Sequence, residues 1–289
     1  MKVRFAVAPG GSFDPDDFAA FVLALEARRF DTVWLSDLPV GDTVDPLVGL
    51  AFAAAATRRL KLGANVVPFG ISPPRLAKDL AQIDRLSGGR LLLSLVPGVG
   101  QPGERAALGT TGSDRGLEME EVMGLLRRWW AGETAGPGEV AIQPTPVQQP
   151  LELWLGGHGP RALERAGRLA DGWLGATLTP EEAGAARRAI QDAAAGAGRQ
   201  VDPEHFGMSI GYARHALPAG LEANLRTRRP KGDAPMADLA PVGAEALRTL
   251  VARYVEHGVS KFVLRPLDRK GPWDDELGWL AEVVLPLQT

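Results

Sequence analysis

A glycine-rich segment contains the residue types that point most directly to chemistry. Gly156-Gly157-His158-Gly159 follows the strand-like stretch 151–155 and precedes Pro160, which is typical of the first turn of a helix. Backbone N–H groups and the helix dipole attract phosphate at such a terminus. We therefore interpret the segment as a phosphate site to which His158 could donate. The alternative is a tight turn whose glycines serve backbone conformation only, with His158 an exposed loop residue.

Two carboxylates follow other strand-like stretches. Asp37 comes directly after the stretch 33–36, and Glu104 follows the fourth such stretch. Asp37 could act as a catalytic residue that orients a cofactor or substrate, or it could cap the next segment. The two acids together could instead indicate a glycosidase, but that reaction needs a controlled separation that the sequence does not fix.

The composition argues against several other chemistries. The 289 residues include no cysteine, which excludes disulfides, thiolate metal sites and thiol nucleophiles. The four histidines lack the spacing of metal ligands, so no metal is expected. A net charge of -3 without an aromatic and basic array argues against nucleic acid. No apolar stretch is long enough for a bilayer and residues 1–7 resemble a strand rather than a signal peptide, so we expect a cytoplasmic location and no membrane partner.

Alternating strand-like and helical segments must position these residues. The predicted strands lie near 3–8, 32–36, 61–66, 91–96, 151–155, 172–176, 207–213 and 261–264. The predicted helices lie near 15–29, 45–57, 73–87, 115–131, 160–170, 180–197, 242–257 and 274–287. Eight strand–helix units close a parallel (β/α)8 TIM barrel, so we predict a single barrel domain over 1–289. A doubly wound open sheet is the alternative.

In such a barrel, ligands bind beyond the C-terminal ends of the strands. This rule brings together Asp37, Asn65 with Val66, Gly98 and Gly156–Gly159. The set is rich in glycine and poor in acid–base pairs, which suits a flat ligand or a phosphate that the backbone approaches closely.

Two segments exceed a minimal repeat. Residues 132–150 are rich in Gly, Pro and Gln, and residues 216–241 contain a run of basic side chains. Insertions of this length are usually functional lids or disordered loops.

Five segments form a specific combination of motifs that spans essentially the whole chain. They are Phe30 to Asp37, Arg59 to Pro68, Ala81 to Arg90, the Gly156–Arg161 turn together with Ala170 to Trp173, and Gly258 to Leu264 with the closing helix. Together they resemble the luciferase-like monooxygenase superfamily, of the bacterial luciferase and F420-dependent oxidoreductase type.

The resemblance implies a flavin-dependent oxidoreductase that acts on a small organic substrate. FMN or the deazaflavin coenzyme F420 would be bound at the strand ends by Asn65, Val66, Gly98 and Gly156–Gly159. It also implies a cis peptide bond between Asn65 and Val66. Many relatives carry histidine directly after the second-strand aspartate, whereas this chain has Leu38. The histidine-based mechanism therefore does not carry over.

Three functions stay open. FMN would support a monooxygenase and F420 a dehydrogenase or reductase, because the cofactor carries the redox chemistry. A cofactor-binding protein with degenerate catalysis would agree with Leu38, and a flavin-free barrel hydrolase or lyase would use the phosphate site for its substrate. Whether a second copy of the chain binds as a homodimer is also open.

The basic run bears on the choice of cofactor. Arg226, Arg228, Arg229 and Lys231 could clamp the anionic oligoglutamate tail of F420, which FMN lacks. The alternative is a solvated, disordered loop.

Overall fold

A computed structural model describes residues 1–10, 13–98, 102–112, 114–229, 232 and 234–289. Eight parallel strands form a closed barrel in sequential order, and the last strand pairs with the first. The strands are β1 Arg4–Val7, β2 Thr32–Ser36, β3 Lys61–Val66, β4 Leu91–Leu95, β5 Leu153–Gly156, β6 Gly172–Ala176, β7 Phe206–Tyr212 and β8 Lys261–Pro266. The predicted barrel is confirmed, and the open-sheet alternative is wrong.

Helices follow the strands on the outside of the barrel. They are α1 Pro15–Ala27, α2 Pro46–Ala56, α3 Pro73–Ser87, α4 Pro102–Ala107, α5 Arg115–Trp130, α6 Pro160–Leu169, α7 Pro180–Gly196, α8 Leu221–Arg228, α9 Ala244–Glu256 and α10 Trp273–Val284. Many begin with proline, whose missing N–H costs nothing in the first turn. Helices α4 and α8 were not predicted; they lie in the segments that follow β4 and β7.

The barrel interior differs between its two ends. Trp34 and Trp154 form an inner cluster in the N-terminal half, while their strand neighbours point outward into the main core. Each indole occupies the space beside a glycine: a Cβ would lie 2.1 Å from Trp34 at Gly63 and 2.4 Å from Trp154 at Gly172. Two positions further along the same strands, the side chains are small, with Ser36 on β2 and Gly156 on β5. The large indoles therefore lie towards the N-terminal end of the barrel, where both border a cavity of about 360 Å³, and smaller side chains lie beyond them.

The segment 132–150 joins α5 to β5, so it lies at the N-terminal end of the barrel, away from the C-terminal ends of the strands. The buried Asp84 carboxylate on α3 fixes it by accepting bonds from Val147 N (2.7 Å), Gln148 N (2.9 Å) and Gln148 Nε2 (2.7 Å). Because a buried carboxylate with three donors holds the segment in place, it is neither a lid nor a disordered loop. The expectation for this segment is corrected.

The segment 216–241 follows β7 and therefore lies at the C-terminal end of the strands. It contains α8 and a 3-10 turn at Met236–Asp238. Across the described parts of the chain, no helix is both long enough and apolar enough to cross a bilayer.

Candidate functional site

Asp37 lies just beyond β2 at the C-terminal end of the barrel, where it was predicted. Its Oδ2 accepts a bond from the backbone N–H of Val67 at 3.0 Å. Burial raises the pKa of the Asp37 carboxyl from 3.8 to about 6. The hydrogen bond from Val67 lowers this pKa, whereas the negative charges of Asp45 and Glu104 raise it further. A carboxyl group with such a pKa exchanges its proton near neutral pH.

Helix α4 brings a second carboxylate to this region. Glu104 is buried, and its Oε1 lies 2.1 Å from the position that a Cβ on Gly98 would occupy. Gly98 also has a φ of 74°, which favours glycine. The contact with Glu104 and the positive φ therefore explain a glycine at position 98 without any cofactor. The role of Gly98 in cofactor binding stays a prediction.

A polar layer crosses the barrel interior at the level of Asn65. Ser36, Asn65 and Ser94 are register partners on β2, β3 and β4. The Asn65 amide donates to Ser36 Oγ at 3.0 Å, but Asn65 Oδ1 and Ser94 Oγ are buried and have no hydrogen-bond partner in the described chain. Buried polar atoms are rarely left unpaired, so this layer suits a ligand that carries both donors and acceptors.

The Asn65–Val66 peptide bond is trans, and the predicted cis bond is wrong. The cis bonds of the described chain are Gln143–Pro144 and Gln149–Pro150. Strand β3 runs regularly through this point: Asn65 O accepts from Asp37 N at 2.9 Å and Val66 O accepts from Val96 N at 3.0 Å. These carbonyls, on both sides of the bond, belong to an uninterrupted parallel ladder, which requires ordinary extended backbone.

A cavity of about 490 Å³ opens between the ends of β4 and β5, and we name it the arginine pocket. Its walls include Pro97, Leu155 and Gly156 from the strand ends, Asp114, Gly116 and Met119 near the start of α5, Ala162 on α6, and three arginines, Arg105, Arg115 and Arg165.

The predicted phosphate turn borders the arginine pocket. Gly156 lines the cavity, and Gly157 follows it with a φ of 104° while its carbonyl accepts from Trp173 Nε1 at 2.8 Å. Gly159 is the N-cap of α6, whose first turn reaches the cavity at Ala162. His158 is half-buried and is not among the lining residues. The geometry suits anion binding by Gly156 and the α6 N-terminus more than by His158.

The three arginines were not identified from the sequence. Arg115 donates to the carbonyl of Pro97, and burial, together with the charge of Arg105, lowers its pKa. Arg165 pairs with Glu120 at 2.9 Å. Arg105 is exposed and has no carboxylate partner among the described residues. Arg115 and Arg165 lie in the first turn or two of helices that follow strands, a position that could have drawn attention to them.

Arg229 in the basic run is buried rather than free. Its guanidinium binds both carboxylate oxygens of Glu182 at 2.9 and 3.1 Å and the Thr177 carbonyl at 2.8 Å. Both earlier interpretations, the tail clamp and the solvated loop, are therefore wrong for Arg229. Arg226 is exposed and pairs with Glu222 at 2.8 Å. The Arg228 side chain and Lys231 lie outside the described residues.

A family model described as luciferase-like monooxygenase matches residues 2–248. The chain belongs to this family. It is 28% identical over 229 residues to a Mycobacterium tuberculosis protein named as a coenzyme F420-dependent oxidoreductase; the match covers 71% of this chain and 64%, less than two thirds, of that relative.

Solved structures share the luciferase-like fold. The coenzyme F420-dependent tetrahydromethanopterin reductase of Methanopyrus kandleri superposes with a TM-score of 0.78 at 17% identity, covering 100% of both chains. The monooxygenase RslO1 of Streptomyces bottropensis gives a TM-score of 0.75 at 22% identity, covering 98% of this chain and 99% of that one. Similarity at this identity establishes the barrel fold alone.

Within this luciferase-like barrel, Leu38 occupies the position after Asp37 where the resemblance implies histidine. The side chain is half-buried and apolar, so it cannot exchange a proton. No group of three or more His, Asp or Glu side chains in the described ranges is arranged to hold a metal ion.

Proposed function

We propose that this chain is an oxidoreductase that binds FMN or coenzyme F420 at the C-terminal end of its barrel and acts on a small organic substrate. The observation that carries the proposal is a cavity lined by three arginines, together with the buried and unpartnered polar atoms of Asn65 and Ser94, at the end where barrels place their chemistry. The F420-dependent and monooxygenase relatives support the same class.

The residues fit such a cofactor in two respects. Arg115, Arg165 and the N-terminus of α6 would hold its phosphate, since guanidinium groups and free helix N–H groups both bind phosphate oxygens. The layer of Asn65 and Ser94 would face the polar edge of its ring system, which carries donors and acceptors for the unpaired atoms. When bound, the cofactor would supply hydride transfer or, for FMN, oxygen activation.

Asp37 is the group that we propose to exchange a proton with the substrate. Its carboxyl group is half-buried at the rim of the site, and its pKa of about 6 lets it hold a proton under mildly acidic conditions and release it above neutrality. The negative charge of Glu104 helps to raise that pKa and would therefore favour proton exchange by Asp37. Asp37 would thus supply the titratable group that Leu38 does not.

The absorption spectrum of the purified protein, with mass spectrometry of any released cofactor, tests the proposal. We expect either a flavin or a deazaflavin spectrum, or uptake of one of these cofactors on titration with micromolar affinity. A protein that binds neither FMN nor F420 but hydrolyses a phosphorylated substrate would instead be the flavin-free alternative. Binding without any substrate turnover across a panel of alcohols, aldehydes and enones would favour degenerate catalysis.

We also propose that the chain forms a homodimer through α2. This helix contains no polar side chain, yet Val48 is 70% exposed and Phe52 is 45% exposed. A surface helix that is apolar all round is typical of a covered interface. Sedimentation velocity should give a dimer that Val48→Glu dissociates, and a monomeric wild-type protein would reject this proposal. The single-domain organisation, the cytoplasmic location and the lack of a nucleic-acid partner stay predictions.

A further inference from the structure

We infer that the N-terminal end of the barrel binds a small aromatic carboxylate, at a site separate from the one proposed for the cofactor. The cavity of about 360 Å³ at this end, which we name the N-terminal cavity, has a charged mouth that includes Arg4, Asp31, Lys61, Glu152, Glu204 and Lys261. Cavities of about 300 to 1,000 Å³ hold small molecules, and this volume suits one or two rings. The inference goes beyond the proposed function, because it adds a second ligand at the opposite end of the barrel.

The inner wall of the N-terminal cavity is apolar and aromatic. It includes Ala6, Trp34, Leu92, Trp154, Leu174 and Val263. The Trp154 indole lies towards the mouth, because its Nε1 donates to Glu152 at 3.1 Å and its ring centroid lies 5.4 Å from that of His205. Indole and imidazole rings stack well with a further aromatic ring, so this wall favours a planar ligand.

Trp34 contributes a buried donor to the same wall. Its Nε1 has no hydrogen-bond partner within the described chain. A Cβ at Gly63 would lie 2.1 Å from the Trp34 Cε3, so the benzene edge of the indole faces β3 and the edge with Nε1 faces away from it. Buried donors are rarely left unpaired, so the wall suits a ligand that also carries an acceptor.

Cationic side chains outnumber carboxylates around the N-terminal cavity. Five of the lining residues are Lys or Arg, and three are Asp or Glu. Two of the carboxylates are engaged away from the lysines of the strands: Glu152 accepts from the indole N–H, and Glu204 accepts from the backbone N–H of Lys2 at 2.9 Å. Arg90 is held by the backbone, since its guanidinium donates to the Leu60 carbonyl at 2.7 Å and to two further carbonyls.

The excess of positive charge lies on one side of the mouth, where three cations surround a single carboxylate. Asp31 pairs with Arg4 at 3.4 Å and with Lys61 at 3.6 Å. Lys261 is the register partner of Arg4 on the neighbouring strand, and its ammonium donates to a backbone carbonyl at 3.3 Å. Among the described residues, no carboxylate forms an ion pair with Lys261.

The environment of Lys261 agrees with this excess. Burial lowers the pKa of its ammonium, and the charges of Lys61 and Arg4 lower it further, whereas those of Asp31 and Glu204 raise it. A carboxylate bound beside Lys261 would favour the charged ammonium and would offset the repulsion among the three cations.

The wall and the mouth together select the chemical class of the ligand. A neutral ring would leave the cations at the mouth uncompensated. A cationic ring would be attracted to the indole faces but repelled by the net charge of the lining. An aliphatic carboxylate would lack the stacking surface. A planar ring with one carboxylate satisfies both parts of the N-terminal cavity.

Fluorine NMR of a small ligand measures this binding without cofactor or turnover. Three probes share one ring and differ in charge: 4-fluorobenzoate is an anion, 4-fluorobenzamide is neutral and 4-fluorobenzamidine is a cation. For wild type at low salt we expect the benzoate to bind with a dissociation constant of about 1 mM or below, and about tenfold more tightly than the amide. The amidine should bind more weakly than the amide, and high salt should reduce the preference for the anion.

Two variants should move the benzoate affinity in opposite directions. Lys261→Gln keeps a donor for the backbone carbonyl but removes the charge, so it should weaken the benzoate about tenfold and change the amide less than twofold. Asp31→Asn removes the carboxylate that competes for the same cations, so it should bind the benzoate about threefold more tightly. Lys78→Gln is the matched control, because it removes an exposed lysine of α3 that lies outside the cavity, and it should change neither affinity. Thermal unfolding checks that each barrel is intact.

The arginine pocket is the other cavity that could attract a benzoate. Arg105→Gln removes one of its cations and should leave the benzoate affinity unchanged. A loss in Arg105→Gln without a loss in Lys261→Gln would assign the anion to the arginine pocket and overturn the inference. Equal binding of all three probes, or binding of none at millimolar concentration, would also overturn it. If Lys261→Gln does not fold, an unchanged benzoate affinity in Asp31→Asn has the same consequence. Failure to bind FMN or F420 would reject the proposed function and leave this inference standing.

Discussion

The two ends of the barrel use charge in opposite ways. At the N-terminal end, Asp31 pairs with Arg4 at 3.4 Å and with Lys61 at 3.6 Å. At the C-terminal end, no ion pair joins Arg105 or Arg115 to a carboxylate of the described residues, although the charge of Glu104 acts on Arg115, and Asp37 is partly buried with a raised pKa. Paired charges stabilise a fold, whereas desolvated or unpaired ones are the hallmark of a binding site. The difference supports our proposal that the cofactor binds at the C-terminal end.

The largest expected effect concerns Arg229, whose charge is paired although the residue lies at the C-terminal end of the barrel. Arg229→Met removes a buried guanidinium and leaves the Glu182 carboxylate unpaired. We expect a loss of about 3 kcal/mol in the free energy of unfolding, because one partner of a buried pair is left behind. Urea unfolding measures it, with Arg226→Gln as the exposed control that should cost less than about 0.5 kcal/mol. Similar values for the two variants would contradict the burial of Arg229.

Gly157→Asp should remove the function of the C-terminal end and spare the fold. The residue has a φ of 104°, and a Cβ there would lie 3.1 Å from the Ala162 Cβ. A side chain blocks backbone approach, and a carboxylate competes with phosphate for the arginines, so we expect roughly a hundredfold weaker cofactor binding. Gly157→Ala separates the strain from the charge and should lose less. Unchanged titration curves for Gly157→Asp would reject the phosphate turn.

The pH dependence of stability should report Asp37. Its folded pKa of about 6 lies above its ordinary value of 3.8, so the folded protein holds this proton more tightly than the unfolded chain. Stability from this group is therefore full below pH 4 and is lost as pH rises from about 4 to 6.

Asp37→Asn should abolish that slope. Because the carboxyl is only partly buried, solvent screening reduces the effect, and we expect the variant to be more stable than wild type by about 1 to 2 kcal/mol at pH 8 and equal at pH 4. Urea unfolding between these pH values provides the measurement. A constant difference at every pH would show that Asp37 titrates normally.

The smallest effect concerns the N-terminal end. Asp31→Asn weakens two partly exposed ion pairs and should cost about 1 kcal/mol of stability. Its cofactor affinity should match that of wild type, because the barrel separates this end from the arginine pocket. A large loss of cofactor binding would show that the two ends are coupled and would weaken the comparison.

Much of the fold could be predicted because its determinants are local. Strand-like stretches and helices such as the one that begins at Pro73 and ends at Gly88 are visible in consecutive residues. The location of the segment 132–150 could also have been predicted from the order of the elements. A segment that precedes a strand lies at the N-terminal end of a parallel barrel, so it does not cover the C-terminal end.

The site was predicted only where local chemistry marks it. Gly156 stands out because glycine followed by a helix start is a local pattern, whereas Arg115 and Arg165 are fifty residues apart and meet only in the closed barrel. Charge alone did not separate the buried Arg229 from the exposed Arg226, since burial depends on the tertiary partner Glu182. The resemblance misled at Asn65–Val66, where the uninterrupted ladder keeps ordinary strand geometry.

The two tryptophans in the barrel interior give the molecule an optical property. Trp34 and Trp154 are almost fully buried, and Trp154 is the register partner of Ser94, so the indoles lie close to the layer of Ser36, Asn65 and Ser94. Indole emission overlaps the near-ultraviolet absorption of flavins and deazaflavins, and energy transfer is efficient between groups that lie within one barrel. A flavin or deazaflavin bound near this layer would therefore quench the fluorescence of both indoles, which makes tryptophan emission a direct signal of cofactor binding.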